Sequence, residues 1–454
     1  MNPLGLLTAA LGERVDTSLP ALEQARADRS GHAASRRPLA VVHAESVADV
    51  QAVMRIATET RTPVVVRGAG TGLAGAANAG SGEIALSTAR MTAVREIRAD
   101  DLLAVVEPGI LNADLNAVLA PHGLWWPPDP ASREISTVGG NIATGAGGLL
   151  CAKYGVVRDA VLGVDVVLAD GRLMRFGHRS VKGVTGLDLT SLMIGSEGTL
   201  GVIVGATLKL RRLTEGTVCT ITATFPGVRA AAAASAAVTA AGVQPAIMEL
   251  MDAASLAAVS ALLDLPVPPA GTAQLTIQTD GPAAEAEAQA VEAVLSAHGG
   301  TVEVSHDRAE GERLLTIRRS MHAAMAALGT TLIEDVSVPR SAMPAMFDEI
   351  ARIEREHGLS IPTVAHAGDG NLHPNFVFEG SEVPDGVWRA ADDLFRAAIA
   401  LGGTLTGEHG IGTLKSRWLA EELGEDQWEL QRQIARVFDP LGILNPGKVF
   451  SAHA

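Results

Sequence analysis

Apolar residues recur at two different spacings in the first part of the chain. Val47, Val50, Met54 and Ala57 follow the 3.6-residue period of an amphipathic helix. Directly after them, residues 62–66 form a short β-branched run, which is typical of a buried strand. The pattern therefore predicts a first unit in which helices and short strands are mixed.

From about residue 217 the chain alternates between strand-like and helix-like stretches, and its end is mostly helical. No repeat of the length found in solenoids recurs. We therefore predict an α+β fold in three parts. These are a first domain over residues 35–214, an α+β domain with an antiparallel sheet over residues 215–385, and a helical segment over residues 386–454.

The composition fits a globular protein with several cores, because 47% of its 454 residues are hydrophobic and 19% are charged. The net charge of -15 excludes a general electrostatic attraction for nucleic acid or anionic lipid. Residues 1–20 lack the pattern of a signal peptide, and no apolar stretch is long enough to span a bilayer. We expect a cytoplasmic protein without nucleic-acid partners or an integral membrane segment.

The two cysteines limit the cofactors that the chain can hold by itself. Cys151 and Cys219 are too few for a disulfide framework, a four-thiolate zinc site or a self-contained iron–sulfur cluster. Neither has zinc-ligand spacing, so we interpret both as ordinary buried thiols.

Two glycine-rich tracts dominate the first domain. In the first, Gly70, Gly72 and Gly75 match the dinucleotide fingerprint, but no helical pattern follows and the expected acidic residue is missing. Classical NAD binding is therefore disfavoured. The backbone N–H groups of residues 68–72 can still form an anion-binding concavity.

The second glycine tract, residues 136–148, adds Thr137, Asn141 and Thr144 as hydrogen-bonding side chains. Two such tracts in one domain indicate one long, multiply anionic ligand. The alternative is that the glycines only allow strands to pack closely.

A histidine pair gives the clearest geometric signal. His366 and His373 flank an Asp-Gly sequence, which favours a two-residue type I′ hairpin turn. With Asp369 and Gly370 at the turn, the two histidines would lie directly opposite each other, with Cβ atoms ~5 Å apart. Both rings could then bind one metal ion.

A glycine-bracketed loop near the C-terminus supplies a third ligand. Glu408 and His409 are adjacent, and adjacent side chains in an extended segment point to opposite sides. One of the two can therefore bind the metal while the other faces a substrate. Two histidines and one carboxylate leave open coordination positions, which is a catalytic pattern.

In combination these motifs resemble the FAD-binding oxidoreductases of the vanillyl-alcohol-oxidase/p-cresol-methylhydroxylase type. More narrowly, they resemble the D-2-hydroxyacid dehydrogenase branch, with D-lactate dehydrogenase (cytochrome), the glycolate oxidase flavin subunit and D-2-hydroxyglutarate dehydrogenase. The match runs from about residue 37 to residue 450. Its motifs are residues 67–72, 127–132, 139–154, 195–201, 366–373, 407–412 and 445–448.

The resemblance implies that residues 35–214 form a PCMH-type FAD-binding domain and that residues 386–454 return to the flavin site. Thr71 stands where relatives with covalent flavin have a histidine, so the FAD is expected to be non-covalent. The implied cofactor-binding residues are Arg67, Gly68, Ala69, Gly70, Thr71, Gly72, Ser87, Pro108, Pro128, Asp129, Thr137, Gly139, Gly140, Asn141, Thr144, Gly148, Glu197, Gly198, Ile203 and Asn445.

The resemblance also implies roles for the histidine motifs. His366, His373 and Glu408 would bind one divalent ion, zinc before manganese or ferrous iron, and His409 would be the catalytic base. The implied substrate contacts are His409, Arg318, His322 and Asn375, with Arg319 as an alternative to Arg318.

The implied activity is oxidation of D-lactate or glycolate to the 2-oxo acid, by hydride transfer to flavin N5. Ile333 and Glu334 stand where hydroxyglutarate-specific members place a lysine, although His322 could receive a distal carboxylate. An alkyl-dihydroxyacetone-phosphate-synthase-like flavin transferase is a further alternative, against which Glu408 argues. Electrons would pass to an external quinone, cytochrome, electron-transfer flavoprotein or oxygen, with the protein cytoplasmic or peripheral at the inner membrane face.

Overall fold

The computed structural model describes residues 2–380 and 382–450. Its helices are α1 (Pro3–Leu11), α2 (Leu19–Ala25), α3 (Val47–Thr60), α4 (Asn112–Leu119), α5 (Val138–Thr144), α6 (Cys151–Tyr154), α7 (Leu189–Met193), α8 (Val228–Ala240), α9 (Ala253–Leu262), α10 (Ala284–Ala297), α11 (Arg308–Arg319), α12 (Met321–Leu328), α13 (Met343–His357), α14 (Asp385–Ala400), α15 (Leu419–Leu423) and α16 (Glu425–Phe438).

The strands are β1 (Val15–Asp16), β2 (Ala40–His43), β3 (Val64–Arg67), β4 (Ile84–Ser87), β5 (Val94–Arg98), β6 (Leu103–Val106), β7 (Leu124–Trp125), β8 (Val161–Val167), β9 (Leu173–Gly177), β10 (Val202–Lys209), β11 (Arg211–Arg212), β12 (Thr217–Phe225), β13 (Ile247–Met251), β14 (Ala273–Gly281), β15 (Thr301–Ser305), β16 (Thr330–Ile333), β17 (Val336–Ser337), β18 (Thr363–His366) and β19 (Asn371–Phe378).

Local sequence explains where these elements begin and end, as α3 illustrates. Ser46 accepts a hydrogen bond from the Asp49 backbone N–H, and the Asp49 carboxylate accepts one from the Ser46 backbone. This capping box satisfies donors that a helix start leaves open. The helix ends at Thr60 and is followed by Arg61, whose φ of 53° is left-handed. Its apolar face, which includes Val50 and Met54, is fully buried.

The described residues form two compact units. The first contains residues 2–147, 155–213 and 408–450, and the second contains residues 148–154 and 214–407. The predicted third segment begins at residue 386, whereas the chain leaves the second unit only after Gly407. Helix α14 lies in the second unit because its apolar side chains, Leu394 and Phe395 among them, are buried there and α14 packs on α13.

The first unit is built on two main sheets. One has the order β1-β2-β4-β3, in which β2, β4 and β3 are parallel. The other is antiparallel with the order β5-β6-β10-β8-β9. A large core packs against the second sheet, and at its centre the fully buried Trp126 donates from Nε1 to the Ala160 carbonyl at 3.0 Å.

The second unit is built on one antiparallel sheet with the order β15-β12-β14-β13-β18-β19-β16, and β17 also pairs with β19. Helices connect many of its strands, as the sequence pattern predicts. The structure thus confirms the α+β fold class. Strands β13, β18 and β19 are neighbours in this sheet, and they carry Glu249, His366 and His373, respectively.

Candidate active site

The first glycine loop follows β3, and no helix occurs between residues 68 and 83, as predicted. Gly70 has a φ of +69°, and a Cβ there would lie 2.1 Å from Nη2 of Arg67. The Arg67 guanidinium donates to the carbonyls of Ala27, at 2.8 Å, and Ala77, at 3.0 Å. The Arg67 side chain therefore shapes the loop from within.

The second glycine tract forms the short helix α5. Thr137 caps it by accepting a hydrogen bond from the Gly140 N–H at 3.2 Å. A Cβ at Gly68 would lie 2.4 Å from Oγ1 of Thr137, so the two tracts are in direct contact. A Cβ at Gly139 would likewise lie 2.4 Å from Cβ of Pro108. These glycines are needed because backbone and side chains approach too closely for any other residue.

Polar groups and empty space at the two tracts fit a large bound ligand. The amide nitrogen of Asn141 is buried without a hydrogen-bond partner among the described residues. Such a donor is costly unless a ligand satisfies it. A cavity of about 620 Å³ is lined by Ala69 of the first tract, Thr137 of the second, and Gly109, Ile110, Asp114 and Val118 between them.

Glu197 and Asn445 were predicted to contact the flavin, and both are buried in the first unit. The Glu197 carboxylate accepts from the backbone N–H groups of Ile411, at 2.7 Å, and Gly412, at 2.9 Å. Burial raises the pKa of the Glu197 carboxyl to about 7. The Asn445 amide donates to the carbonyls of Ala76 and Glu197. Both side chains thus bind backbone groups of the chain itself.

The remaining predicted cofactor residues differ in exposure. Ser87, Pro128, Asp129, Gly198 and Ile203 are buried in the first unit, Thr71, Gly72 and Thr144 are half-buried there, and Gly148 is buried in the second unit. Ala69 is exposed. Both cysteines are buried, as predicted, and neither forms a disulfide within the described residues.

In the second unit the two histidines lie on one face of the sheet, but the predicted pairing register is wrong. His366 pairs with Asn371, and His373 pairs with Val364. Residues 367–370 therefore form a turn that is wider than the predicted two-residue turn. A type I′ turn needs positive φ at both central residues, and of Asp369 and Gly370 only Gly370 has a positive φ. The histidines are therefore diagonal neighbours, and their ring centroids lie 5.0 Å apart.

A buried carboxylate on β13 joins this pair to an arginine. One oxygen of Glu249 lies 2.7 Å from Nδ1 of His366, and the other lies 2.7 Å from an Nη of Arg318. Glu249 is 1% exposed, so this is a buried charged network. Sequence reasoning missed Glu249, although a carboxylate inside the otherwise apolar strand β13 is itself a signal.

The structure distinguishes Arg318 from Arg319. Arg318 is buried, and its Nε donor makes no hydrogen bond within the described part of the chain. Arg319 is partly exposed and pairs with Glu312 at 3.4 Å. Arg318 is thus the arginine that has an unused donor inside the unit. His322, the other predicted substrate contact on these helices, is exposed on α12.

Asn375 and Asn371 are held by backbone and carboxylate groups. The Asn375 amide donates to the carbonyls of Pro362, at 3.0 Å, and His373, at 2.8 Å. Asn371 donates to the buried carboxylate of Asp335, and Nδ1 of His373 lies 4.0 Å from that carboxylate. The histidine pair is therefore flanked by a second acidic side chain, that of Asp335.

The loop that carries Glu408 and His409 is fixed by close contacts at its start. A Cβ at Gly407 would lie 2.4 Å from Nδ2 of Asn371, so the last residue of the second unit touches the strand that follows the turn. A Cβ at Gly147 would lie 2.4 Å from a Glu408 carboxylate oxygen. Nε2 of His409 lies 3.8 Å from the other oxygen of Glu408.

Comparison with known proteins identifies the family. The FAD binding domain model matches residues 38–177, and the model described as FAD linked oxidases, C-terminal domain, matches residues 215–449. The chain belongs to the FAD-linked oxidases. The two matches fall on the glycine tracts and on the histidine motifs, respectively.

Curated relatives of this FAD-linked oxidase cover nearly its whole length. The glycolate oxidase subunit GlcD of Bacillus subtilis (strain 168) is 38% identical over 424 residues, covering 92% of this chain and 90% of that protein. The mitochondrial D-lactate dehydrogenase [cytochrome] of Arabidopsis thaliana is 32% identical over 430 residues, covering 93% and 75%.

A solved structure supports the fold. p-Cresol methylhydroxylase with substrate bound gives a TM-score of 0.80 at 16% identity, covering 99% of this chain and 96% of that chain. The predicted family, the PCMH-type fold and the assignment as an FAD-dependent oxidoreductase are confirmed. In the described residues of this FAD-linked oxidase, no helix has the length and apolar character needed to cross a membrane.

Proposed function

We propose that this FAD-linked oxidase oxidises a small D-2-hydroxy acid, of the D-lactate or glycolate type, to the 2-oxo acid. The observation that carries the proposal is the buried set of His366, His373, Glu249 and Arg318, which combines metal ligands with a carboxylate-binding cation. The names of the relatives, glycolate oxidase subunit and D-lactate dehydrogenase, support the same substrate class.

We propose that His366, His373 and Glu408 bind one divalent metal ion. The centroids of the two histidine rings lie 5.0 Å apart on one face of the sheet, close enough for both rings to share one ion, and Glu408 offers the carboxylate that completes the predicted set. Imidazole and carboxylate donors suit zinc, manganese and ferrous iron. Such an ion would act as a Lewis acid toward the hydroxyl and carboxylate of the substrate.

The Glu249 carboxylate would orient the metal-binding ring of His366. A carboxylate at Nδ1 holds the proton on that nitrogen, so that Nε2 is the nitrogen with a lone pair for an ion. This second layer of contacts is typical of histidine ligands. The 2.7 Å distance between the two groups supports this role.

We assign Arg318 to the substrate carboxylate. A guanidinium presents several N–H donors in a fixed fork that matches a carboxylate. Glu249 engages one Nη, and the buried Nε has no partner among the described residues. The Arg318 guanidinium would thus supply the local positive charge with which a protein of net charge -15 binds an acidic substrate.

We assign to His409 the removal of the proton from the 2-hydroxyl. A neutral imidazole is a suitable base near neutral pH. When bound, FAD supplies the acceptor for the hydride that leaves C2, so the substrate loses one proton and one hydride in all. The side chain of His409 is 10% exposed, which limits access of water to the base.

The residues near Asp335 favour a short substrate. Ile333 and Glu334 offer no cation for a second carboxylate, which argues against D-2-hydroxyglutarate, and His322 is exposed. Glu408 argues against an alkyl-dihydroxyacetone-phosphate-synthase-like transferase.

Electrons would leave for an external quinone, cytochrome, electron-transfer flavoprotein or oxygen, with the protein in the cytoplasm or at the inner membrane face.

Anaerobic titration of the purified yellow protein tests the proposal. D-Lactate, L-lactate, glycolate and D-2-hydroxyglutarate are each added while the flavin absorbance is recorded. We expect bleaching by D-lactate or glycolate without any second substrate, and none by L-lactate. If no member of the panel bleaches the flavin, the proposal is wrong, and preferential bleaching by D-2-hydroxyglutarate would reassign the substrate.

A further inference from the structure

Glu197 occupies a strained and buried position in the first unit. Its φ of +50° lies in the left-handed region, which is unfavourable for a residue other than glycine. Its backbone N–H donates to the carbonyl of Ala143 in α5 at 2.8 Å, and the Asn445 amide donates to its carbonyl. Such strain persists only where surrounding contacts fix it, as these do.

The Glu197 carboxylate holds the loop that follows His409. Its two oxygens accept from Ile411, at 2.7 Å, and Gly412, at 2.9 Å. Gly410 has a φ of +85°, and a Cβ there would lie 2.9 Å from the carboxylate carbon. The loop therefore passes directly over the carboxylate, and one rigid group fixes two successive N–H groups.

The other side of the same loop rests on the first glycine tract. The N–H of Thr413 donates to the carbonyl of Ala74 at 2.9 Å, and a Cβ at Gly412 would lie 2.0 Å from that oxygen. The Gly412 carbonyl accepts from the N–H of Val449 at 2.8 Å. Glu197 is the charged member of this set of contacts.

We propose that Glu197 is a positioning residue for His409, not a contact to FAD. Both carboxylate oxygens are engaged by the loop, and Ile411 is only two residues beyond His409. The inference rests on the proposed role of His409 as the base. We call the two hydrogen bonds from Ile411 and Gly412 to Glu197 the Glu197 clamp. Because misplacing a catalytic group by about 1 Å can cost roughly 100-fold in rate, a clamp this close to the base controls the rate of the reaction.

Glu197→Gln is the test variant because it keeps the shape of the side chain. Its amide offers one acceptor oxygen, and its NH₂ group would face a backbone N–H, so one hydrogen bond is lost. Asp439→Asn is the matched control in the same unit. Asp439 is also buried and accepts from a backbone N–H, that of Leu444 at 2.6 Å.

Amide hydrogen exchange tests the clamp whether or not a substrate is known. In the FAD-loaded protein we expect the amides of Ile411 and Gly412 to be protected. In Glu197→Gln both should exchange at least about tenfold faster, whereas Asp439→Asn leaves them unchanged. Exchange within about twofold of wild type in Glu197→Gln overturns the inference.

Flavin reduction by D-lactate or glycolate then tests the consequence for the reaction. We expect the limiting reduction rate of Glu197→Gln to fall at least about 30-fold, with the substrate dissociation constant within about threefold and FAD content unchanged. Loss of FAD in proportion to the rate would instead assign Glu197 to the cofactor. If the wild-type protein is not reduced at all, the proposed function is wrong. The exchange measurement still shows whether Glu197 holds the loop after His409.

Discussion

Nδ1 of His366 lies 2.7 Å from a carboxylate oxygen of Glu249, and both side chains are buried. The second oxygen of Glu249 forms the ion pair with Arg318. One carboxylate on β13 thus fixes both a proposed metal ligand and the proposed substrate anchor. Removing it leaves a buried arginine without its ion-pair partner and a histidine ring without its hydrogen-bond acceptor.

Glu249→Gln should weaken metal binding by about 10- to 100-fold, because the amide no longer supplies the negative charge that makes the His366 ring a better ligand. Competition with a chelator of known affinity measures this. Glu303→Gln is the control, since Glu303 lies on the outer strand β15 of the same sheet and is exposed. Equal metal affinity in wild type and Glu249→Gln would contradict the second-layer role of Glu249.

Arg318→Ala should raise the dissociation constant of the hydroxy acid by about 10- to 100-fold, because a charge-assisted hydrogen bond is worth about 1.5–3 kcal/mol. The neighbouring variant Arg319→Ala should stay within about twofold, since Arg319 is partly exposed and pairs with Glu312. The concentration dependence of flavin reduction gives both constants. A larger effect at Arg319 than at Arg318 would reverse the assignment.

Some of this site could be predicted from sequence, and the reasons differ from residue to residue. The motif containing His366 and His373 placed both rings on one face, but the Asp-Gly signal predicted a tighter turn than the wider one that forms. Glu249 could not be assigned to the histidines because the pairing of β13 with β18 joins strands more than a hundred residues apart. Such long-range pairing leaves no local signal.

Asp252 should make stability depend on pH. Burial raises the pKa of its carboxyl to about 6 from 3.8 when unfolded, so the folded state binds the proton more tightly. This stabilisation is complete below pH 3.8 and is lost as the pH rises through 6. The total is about 3 kcal/mol, of which about 1 kcal/mol is lost between about pH 5 and pH 7.

Urea unfolding of wild type and Asp252→Asn at several pH values in this range checks the sign. The variant lacks the titrating group, so its stability relative to wild type should rise by about 1 kcal/mol across the range. Asp307→Asn is the control, because Asp252 caps the start of α9 and Asp307 caps the start of α11 from an exposed position. A difference between wild type and Asp252→Asn that does not change with pH would contradict the prediction.

Acid precipitation should release all of the flavin into solution, because the hydroxyl of Thr71 stands where covalent relatives have a histidine. Absorbance of the supernatant and of the pellet measures the two fractions. Flavin that remains with the precipitated chain would show a covalent bond and would locate its attachment elsewhere.

Rapid-mixing measurement of flavin reduction, before and after removal of the metal, tests the central claim most directly. Chelated protein that keeps its FAD should be reduced by D-lactate or glycolate at least about 100-fold more slowly, and zinc, manganese or ferrous ions should restore the rate. His373→Ala should not respond to the added ion. Reduction at an unchanged rate in protein shown to hold FAD but no metal would contradict the assignment of His366, His373 and Glu408.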